Sequence, residues 1–324
     1  MKRIFVYEYL SGGGEMAPGE LLAMGESMRN AIMADLLRLG NREVSVATCT
    51  LASRVPEPAR PVTPRNGEPA FDFVRRHANV HDLAWVVAPE TDGLLARLQQ
   101  CVDPERWLGC DASAIELATR KRMTLMTLAE AGIATPLAFE HAPETTRWVV
   151  KPDDGAGAVA TRLHRDPAAA LDDRSTRSHA GSPMAIEPWV EGAALSLSLL
   201  CGTRGTKRCE LLSINRQHLG ISEQGLLSFH SVEVNVMPLT DPRAGTLDGL
   251  AARVHQAIPG LRGFVGIDLV WHEQRGPVVI EVNPRVTSAY VGLSRALGRN
   301  LAAEVIATRE GERASQPKTA HAHV

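Results

Sequence analysis

The sequence has few aromatic residues and no excess of charge of either sign. Aromatic residues make up 4% of the 324 residues, and 35 basic residues nearly balance 37 acidic ones, for a formal net charge of −2. There is no basic stripe and no long run of like charge, which argues against nucleic acid or an anionic membrane as the main partner. A charged small-molecule ligand would leave no trace in the net charge, so this class of partner stays open.

Long apolar runs and closely spaced cysteines are also missing. The apolar run at residues 4–7 ends at Glu8, short of signal-peptide length, and no uncharged stretch is long enough to span a membrane. The five cysteines form no C-x-x-C pair and lie in or beside apolar segments, which is typical of buried thiols in a reduced compartment. These absences predict a cytoplasmic protein.

The chain does have enough apolar residues for a large interior, since 44% are hydrophobic, and its length suits two or three packed lobes. In residues 1–111 strand-like and helix-like segments alternate, which predicts a parallel α/β sheet. Further on, strand-like segments joined by turn-rich links predict two α+β lobes, at 112–186 and 187–308. The polar residues 309–324 are expected to form a flexible tail.

The strongest chemical signal lies in two apolar segments, residues 263–271 and 278–285. Side chains alternate along a strand, so Glu281 and Asn283 would share one face. Asp268 interrupts the other segment, where burying a lone carboxylate is unfavourable without a partner. If the strands pair, two carboxylates and an amide form an oxygen-ligand set of the kind that Mg²⁺ takes. The alternative, two acids on a solvated sheet face, leaves Asp268 unexplained.

Two weaker chemical signals lie earlier in the chain. Residues 148–158 predict a strand that carries Lys151, followed by a loop with Gly155 and Gly157. Such glycines let backbone N–H groups approach phosphate oxygens. The loop lacks the Gly-Lys-Ser/Thr of a Walker P-loop, and alone it would be an ordinary hairpin turn. Residues 186–192 form an apolar segment with a flanking acid, which suits either an adenine slot between lobes or a plain linker.

The order of these elements resembles the ATP-grasp superfamily: Lys121, then Lys151 with its glycine loop, Glu187-Pro188-Trp189-Val190, Asp268, and Glu281-Val282-Asn283. Within the superfamily, the chain most resembles the tyramine–L-glutamate ligase family of methanofuran biosynthesis. This likeness is carried by residues 5–9, 88–92, 108–110, 213–217, 233–235, 258–261 and 283–287. It implies an ATP-grasp fold, α/β plus α+β, with an N-terminal Rossmann-like pre-ATP-grasp domain at 1–111.

The resemblance also implies roles for particular residues. ATP would be bound by Lys121, Lys151, Gly155, Gly157, Glu187 and the backbone of Val190. Mg²⁺, or Mn²⁺ in its place, would be bound by Asp268, Glu281 and Asn283. Arg285 would act with Lys151 in catalysis by stabilising an acyl phosphate, and Arg216 could hold a substrate carboxylate by a bidentate contact. Glu8, Gly13 and Thr287 are expected in the substrate pocket.

Two positions depart from the family pattern. We call residues 186–192 the hinge segment. Related chains often have a glutamate that binds ribose just after the glycine of this segment, whereas Ala193 and Ala194 follow Gly192 here. We therefore expect the ribose contact from elsewhere, with Glu191 as the candidate. Arg120 precedes Lys121 where related chains often carry an acid. Neither change touches the metal or phosphate residues, so activity is still expected.

The implied activity is that of an ADP-forming carboxylate–amine ligase with small-molecule substrates. The γ-carboxyl of L-glutamate is the expected acid, and tyramine or a related aromatic amine is the expected partner. Related enzymes are often dimers, so a homodimer is a further expectation.

Two other functions stay open. Residues 12–17 fit the G-x-G-x-x-A pattern of a dinucleotide-dependent enzyme, although the strand at 44–48 ends without an acid for the ribose. A catalytically silent nucleotide-binding sensor would account for the missing hinge glutamate.

Overall fold

The computed structural model describes residues 1–15, 19–155, 157–179, 183–202 and 209–315. These residues form three sheets, of four, three and five strands, which follow one another along the chain. Short 3-10 helices lie at Thr91–Gly93, Pro136–Phe139 and Ser288–Tyr290. Within the described ranges, no helix combines the length and apolar character needed to cross a membrane.

The first sheet is parallel, as the alternation of strands and helices predicted. Its strands are β1 (Lys2–Glu8), β2 (Arg42–Ala47), β3 (Arg60–Val62) and β4 (Leu83–Val87), in the order β3-β2-β1-β4, with helices α1 (Gly19–Leu37), α2 (Ala70–Ala78) and α3 (Leu94–Gln99). Alternate residues of β1 enter two different cores. Phe5 and Tyr7 pack with residues of α2 and α3, whereas Ile4 and Val6 pack with residues of α1. A parallel strand covered on both faces gives this pattern.

The small lobe follows two short helices. Helices α4 (Ala112–Thr119) and α5 (Lys121–Glu130) are separated at Arg120, whose backbone is extended with φ −91° and ψ 96°. The break makes Lys121 the first residue of α5. The second sheet is antiparallel, with strands β5 (Trp148–Pro152), β6 (Arg162–His164) and β7 (Met184–Pro188) in the order β6-β5-β7, and with helix α6 (Pro167–His179). The expected boundary between residues 186 and 187 falls inside β7.

The third sheet is antiparallel throughout. It consists of β8 (Ala193–Cys201), β9 (Cys209–Ile221), β10 (Leu227–Met237), β11 (Gly263–His272) and β12 (Gly276–Asn283), in the order β10-β9-β8-β11-β12, with helix α7 (Pro242–Ala257) between β10 and β11. Leu247 and Val254 of α7 are fully buried in one core with Leu199 of β8 and Val265 of β11. The helix therefore covers one face of the sheet, and the other face remains for the polar residues described below.

The last two described helices, α8 (Leu293–Leu297) and α9 (Leu301–Ser315), follow the third sheet and return to the N-terminal domain. Leu301 and Val305 are buried in the same core as β1, and Tyr290 Oη donates a 2.7 Å hydrogen bond to Asp35 on α1. Helix α9 continues past residue 309, where we expected the tail to begin. Residues 316–324 of that expected tail lie outside the described residues.

Candidate active site

The two acids of the strongest sequence signal lie opposite each other on neighbouring strands. In the antiparallel register of β11 and β12, Asp268 pairs with Glu281, and Gly266 pairs with Asn283. Opposed residues in such a pair project from the same face of the sheet. The three oxygen-bearing side chains therefore share one face, close to the end of β12.

Asp268 is held by two neutral amides. Gln217 Nε2, on β9, donates to Asp268 Oδ1 at 3.0 Å, and Asn283 Nδ2 donates to Asp268 Oδ2 at 3.1 Å. Burial, reinforced by the negative charge of Glu281, raises the pKa of Asp268 to about 7 in spite of these bonds. A bound cation would relieve this repulsion between neighbouring carboxylates. Hard oxygen donors in this arrangement fit Mg²⁺.

Glu281 also has a cationic side chain beside it. Lys121 Nζ lies 2.6 Å from Glu281 Oε1 and 2.5 Å from the carbonyl oxygen of Gly155. Burial alone would raise the pKa of Glu281, but the charges of Lys121 and Lys151 outweigh burial and lower it. Burial likewise works to lower the pKa of Lys121, and Glu281 reverses the shift and raises it. Both groups are therefore charged, and Lys121 joins the glycine loop to β12.

A second buried lysine–glutamate pair lies within the small lobe. Lys151 Nζ donates to Glu187 Oε1 at 2.6 Å, and the two residues are only 5% and 4% exposed. The other carboxylate oxygen of Glu187 is buried and has no hydrogen-bond partner among the described residues. Val190 is buried nearby, against Phe139 and Val278. An unpartnered acceptor next to an apolar surface could hold a flat ring that carries an amine.

The start of the glycine loop is fixed by contacts with two other regions. Asp153 accepts hydrogen bonds from the backbone N–H groups of Lys121, at its carbonyl oxygen, and Arg122, at Oδ1, with lengths of 2.8 and 2.9 Å. Asp154 Oδ2 accepts from the backbone N–H of Asp92 in the N-terminal domain at 2.7 Å. Gly157 has φ 65°, a left-handed conformation that favours glycine. The residue between the two glycines lies outside the described part of the chain.

Arg285 is bound by a carboxylate that the sequence analysis did not select. Its Nε and Nη2 donate to the two oxygens of Glu90, each at 2.9 Å, and its Nη1 donates to the carbonyl oxygen of Val286 at 3.3 Å. Burial works to lower the pKa of Arg285, but the charge of Glu90 raises it. The one sequence signal for Glu90 was its position in the family-like stretch 88–92. Gln217 was not selected either, and its one sequence signal was its position in the family-like stretch 213–217.

The four residues predicted to contact the substrate each have different neighbours. Glu8 is 3% exposed, and its carboxylate accepts from the backbone N–H groups of residues 10 and 11 at 3.2 and 2.8 Å. Gly13 has φ 84°, and Thr287 packs against Gly266. Arg216 is exposed on β9, opposite Glu233. The contacts described for these residues do not join them to Lys121 or Glu281.

Packing explains two glycines of the dinucleotide-like loop. A Cβ atom on Gly12 would lie 2.6 Å from the ring of Tyr7, and one on Gly14 would lie 2.2 Å from the ring of Tyr9. These glycines are therefore required by neighbouring aromatic rings, and no pyrophosphate is needed to account for them. Met16 and Ala17, which complete the pattern, lie outside the described residues.

Asp268, Glu281 and Asn283 would leave a metal ion with open positions. Within the described part of the chain, no group of three or more His, Cys, Asp or Glu side chains is arranged to hold a metal. A site of two acids and one amide needs further oxygen ligands, which for Mg²⁺ are commonly water and phosphate. This donor set suits a metal that binds together with a nucleotide.

Two family models match the chain. The family described as ATP-grasp domain matches residues 118–289, more than half of the chain, and the pre ATP-grasp 3 domain matches residues 45–115. The chain belongs to the ATP-grasp family, and the predicted fold is confirmed.

Individual relatives give a finer similarity. The chain is 29% identical over 214 residues to tyramine–L-glutamate ligase of Methanocaldococcus fervens, with 65% of this chain and 61% of that protein aligned. The alignment thus spans less than two thirds of the relative's length. A solved ATP-grasp superfamily protein from Archaeoglobus fulgidus has a TM-score of 0.69 and 19% identity, over 94% of this chain and 88% of that one. D-alanine–D-alanine ligase from Bacillus anthracis has a TM-score of 0.65 and 17% identity, over 98% and 100%.

Proposed function

We propose that the protein is an ATP- and Mg²⁺-dependent, ADP-forming ligase that joins a carboxylate to an amine through an acyl phosphate. The observation that carries the proposal is the side-by-side placement of Asp268 and Glu281, with Lys121 linking Glu281 to the glycine loop. Two acids on one sheet face, a buried lysine and a glycine loop together suit a triphosphate with its metal. Membership of the ATP-grasp family supports this interpretation.

The nucleotide would be held from both lobes. Lys121 and Lys151 supply positive charge for the phosphates, and the backbone around Gly155 and Gly157 supplies N–H donors. Glu187 would accept a hydrogen bond from the adenine amine through its unpartnered oxygen, and Val190 would contact the ring. Glu191 is the proposed ribose contact.

Asp268, Glu281 and Asn283 would hold Mg²⁺, with Mn²⁺ as a substitute. When bound, the ion neutralises charge on the phosphates and polarises the transferred phosphoryl group. Glu281 shares its carboxylate with Lys121, so the protein keeps positive charge beside the transfer site before a metal arrives. Gln217 and Asn283 orient the carboxylate of Asp268.

The chemistry follows from the poor leaving group of a carboxylate. An oxygen of the acid attacks the γ-phosphorus of ATP, the bond to the bridging oxygen breaks, and ADP leaves. The amine nitrogen then attacks the acyl carbon, the bond to the phosphate oxygen breaks, inorganic phosphate leaves, and the nitrogen loses a proton. Arg285 is suited to stabilise the negative charge of the acyl phosphate and of its tetrahedral successor. The covering glycine loop would keep water from the intermediate.

The finer proposal concerns the substrates. We assign the γ-carboxyl of L-glutamate as the acid and tyramine or a related aromatic amine as the nucleophile, in methanofuran-type cofactor synthesis. Support comes from the 29% identity to tyramine–L-glutamate ligase. Arg216 would hold a substrate carboxylate, and Glu8, Gly13 and Thr287 would line the pocket. A homodimer belongs to the same set of proposals.

A product assay tests the proposal directly. The protein is incubated with ATP, Mg²⁺, L-glutamate and either tyramine or tyrosine, and the products are analysed by mass spectrometry together with phosphate release. We expect γ-glutamyltyramine, with one phosphate and one ADP for each amide. Phosphate release that no acid–amine pair stimulates would contradict ligase activity and favour a silent nucleotide-binding protein. Binding of NAD without ATP turnover would favour a dinucleotide enzyme.

A further inference from the structure

The guanidinium group of Arg285 is held on one edge by Glu90 and has further N–H donors besides the two that Glu90 binds. Arginine has five N–H donors. Glu90 takes one on Nε and one on Nη2, and the carbonyl oxygen of Val286 takes one on Nη1. Among the described residues, one N–H on each terminal nitrogen therefore has no hydrogen-bond acceptor. The end of a guanidinium fork matches two oxygens of a phosphate or an acyl phosphate.

We propose that Glu90 is a positioning residue that orients Arg285 toward the phosphoryl oxygens of the reaction. The inference rests on the proposed ligase function and adds a role for the N-terminal domain. Glu90 follows β4, lies 195 positions before Arg285 and is only 3% exposed. Because the carboxylate is fixed in the N-terminal domain, it sets the plane of an arginine that belongs to the ATP-grasp half. Through Glu90, the N-terminal domain completes the transfer site.

A second contact of the same turn supports this role. The backbone N–H of Asp92 donates to Asp154 Oδ2, at the start of the glycine loop, at 2.7 Å. Residues 90 and 92 therefore touch the two parts of the ATP-grasp half that the proposed mechanism needs together, the arginine and the loop. Asp92 adopts φ 53°, so the chain turns sharply between the two contacts. One short turn of the N-terminal domain thus sets the relative positions of both parts.

Stability alone is a weak reason for such a pair. Replacing a buried ion pair by apolar residues is often neutral or stabilising, because removing two charges from water offsets their attraction. The chain has another arginine–glutamate fork, outside the proposed site: Arg299 binds the two oxygens of Glu210 at 2.7 and 3.1 Å and also those of Glu304, with these side chains partly exposed. Glu210→Gln is therefore the control for loss of an arginine–glutamate fork.

The first test is steady-state kinetics of Glu90→Gln, which keeps the shape of the side chain and removes its charge. Misplacing a catalytic group by about 1 Å can reduce the rate about 100-fold, so we expect kcat to fall about 30- to 100-fold while KM for ATP changes less than about twofold. Glu90→Asp keeps the charge but shortens the side chain, so its kcat should lie between those of wild type and Glu90→Gln. Glu210→Gln should retain wild-type kcat.

The second test does not require amide formation. Inorganic phosphate is titrated into the protein saturated with ADP and Mg²⁺, and its binding is followed by calorimetry. Loss of a well-oriented charged hydrogen bond should weaken phosphate binding about tenfold in Glu90→Gln, with ADP affinity unchanged. If wild type forms no amide but this difference appears, the ligase proposal fails and the positioning role stands.

Equal phosphate affinity in folded Glu90→Gln and wild type would overturn the inference. If Glu90→Gln does not fold, the same criterion is applied to Glu90→Asp. A double variant with Arg285→Lys gives an independent check, because a positioning residue has little left to orient once the fork is gone. The double variant should be about as slow as Arg285→Lys alone, and additive losses in kcat would contradict the proposal.

Discussion

The two buried lysine–glutamate pairs have the same length and different origins. Lys151–Glu187 lies within one small sheet, between neighbouring strands 36 positions apart. Lys121–Glu281 joins α5 to β12 across 160 positions, and the same Nζ also binds the carbonyl oxygen of Gly155. The first pair forms together with its sheet, whereas the second exists only when the glycine loop, α5 and the large sheet are assembled.

Two ion pairs of equal length can therefore differ in what the protein loses when one partner is replaced. Glu281 lies opposite a second acid, Asp268, so its carboxylate serves both the lysine and the proposed metal. One oxygen of Glu187 binds the lysine and the other has no hydrogen-bond partner in the described ranges, so its two proposed tasks are on separate atoms. Breaking either pair leaves a buried charge without its partner and should reduce stability. Changes in the first pair should in addition affect metal binding and catalysis, whereas changes in the second should affect nucleotide recognition.

The largest expected effect is that of Glu281→Gln compared with Asp268→Asn. Both remove a carboxylate from the proposed metal site, so we expect kcat to fall more than about 1,000-fold in each. Only Glu281→Gln also leaves Lys121 buried without a negative partner, which should reduce the free energy of unfolding by about 3 kcal/mol. Product assays and urea unfolding measure the two effects.

Asp268→Asn serves as the control for the stability effect, since Asp268 is held by two neutral amides and, within the part of the chain that the structure describes, by no lysine. We expect its urea midpoint to stay close to that of wild type. A fully active Asp268→Asn/Glu281→Gln double variant would contradict the metal assignment. Equal destabilisation by the two single variants would contradict the distinction drawn for Lys121.

The next effect in size is that of Lys151→Met, which breaks the pair within the small sheet. A charged hydrogen bond to phosphate contributes about 1.5–3 kcal/mol, so ATP affinity should fall about 10- to 100-fold. Binding is measured by calorimetry with a non-hydrolysable ATP analogue and Mg²⁺. Lys2→Met, at the start of β1, is the control and should bind as wild type does. Unchanged affinity in Lys151→Met would count against a phosphate role.

A smaller effect is expected for Glu187→Gln. The amide oxygen must accept from Lys151, so the amide nitrogen takes the place of the unpartnered oxygen. A donor would then face the amine of adenine, and ATP affinity should fall about tenfold because one acceptor has become a donor. GTP presents an acceptor at that ring position, so the preference for ATP over GTP should also decrease. An unchanged ATP/GTP ratio would argue against adenine contact by Glu187.

The part of the fold that the sequence predicted is the part with continuous apolar strands. Apolar runs at residues 84–88, 195–201 and 264–271 predict strands, and these strands correspond to β4, β8 and β11. β10 was missed because only Met237 of its eleven residues is buried, so no apolar run marks it. The sequence also predicts a short strand at residues 107–109, and the structure has only one bridge there, between Trp107 and Ala84. Both errors concern segments whose pairing is decided by neighbours elsewhere in the chain.

The same distinction applies to the candidate site. Asp268, Glu281 and Asn283 could be grouped from sequence because strand alternation and hairpin pairing are local rules. Glu90 and Gln217 could not, because their partners Arg285 and Asp268 lie 195 and 51 positions away. A single chain carries no signal that joins such positions.

The smallest effect is expected at Glu191, which shows what an exposed ion pair contributes beside the two buried ones. Its side chain is 63% exposed and pairs with Arg147, which also lies over the ring of Trp189. Exposed pairs contribute about 0–1 kcal/mol, so Glu191→Gln should leave stability nearly unchanged. If Glu191 binds the ribose, ATP affinity should fall about two- to fivefold, because an exposed hydrogen bond is weak. The decisive measurement is the ratio of affinities for ATP and 2′-deoxy-ATP, which Glu191→Gln should bring closer to one. Glu144→Gln, in another exposed pair with Arg275, is the control and should keep the wild-type ratio. If wild type, Glu191→Gln and Glu144→Gln all have the same ratio of affinities, Glu191 does not contact the ribose.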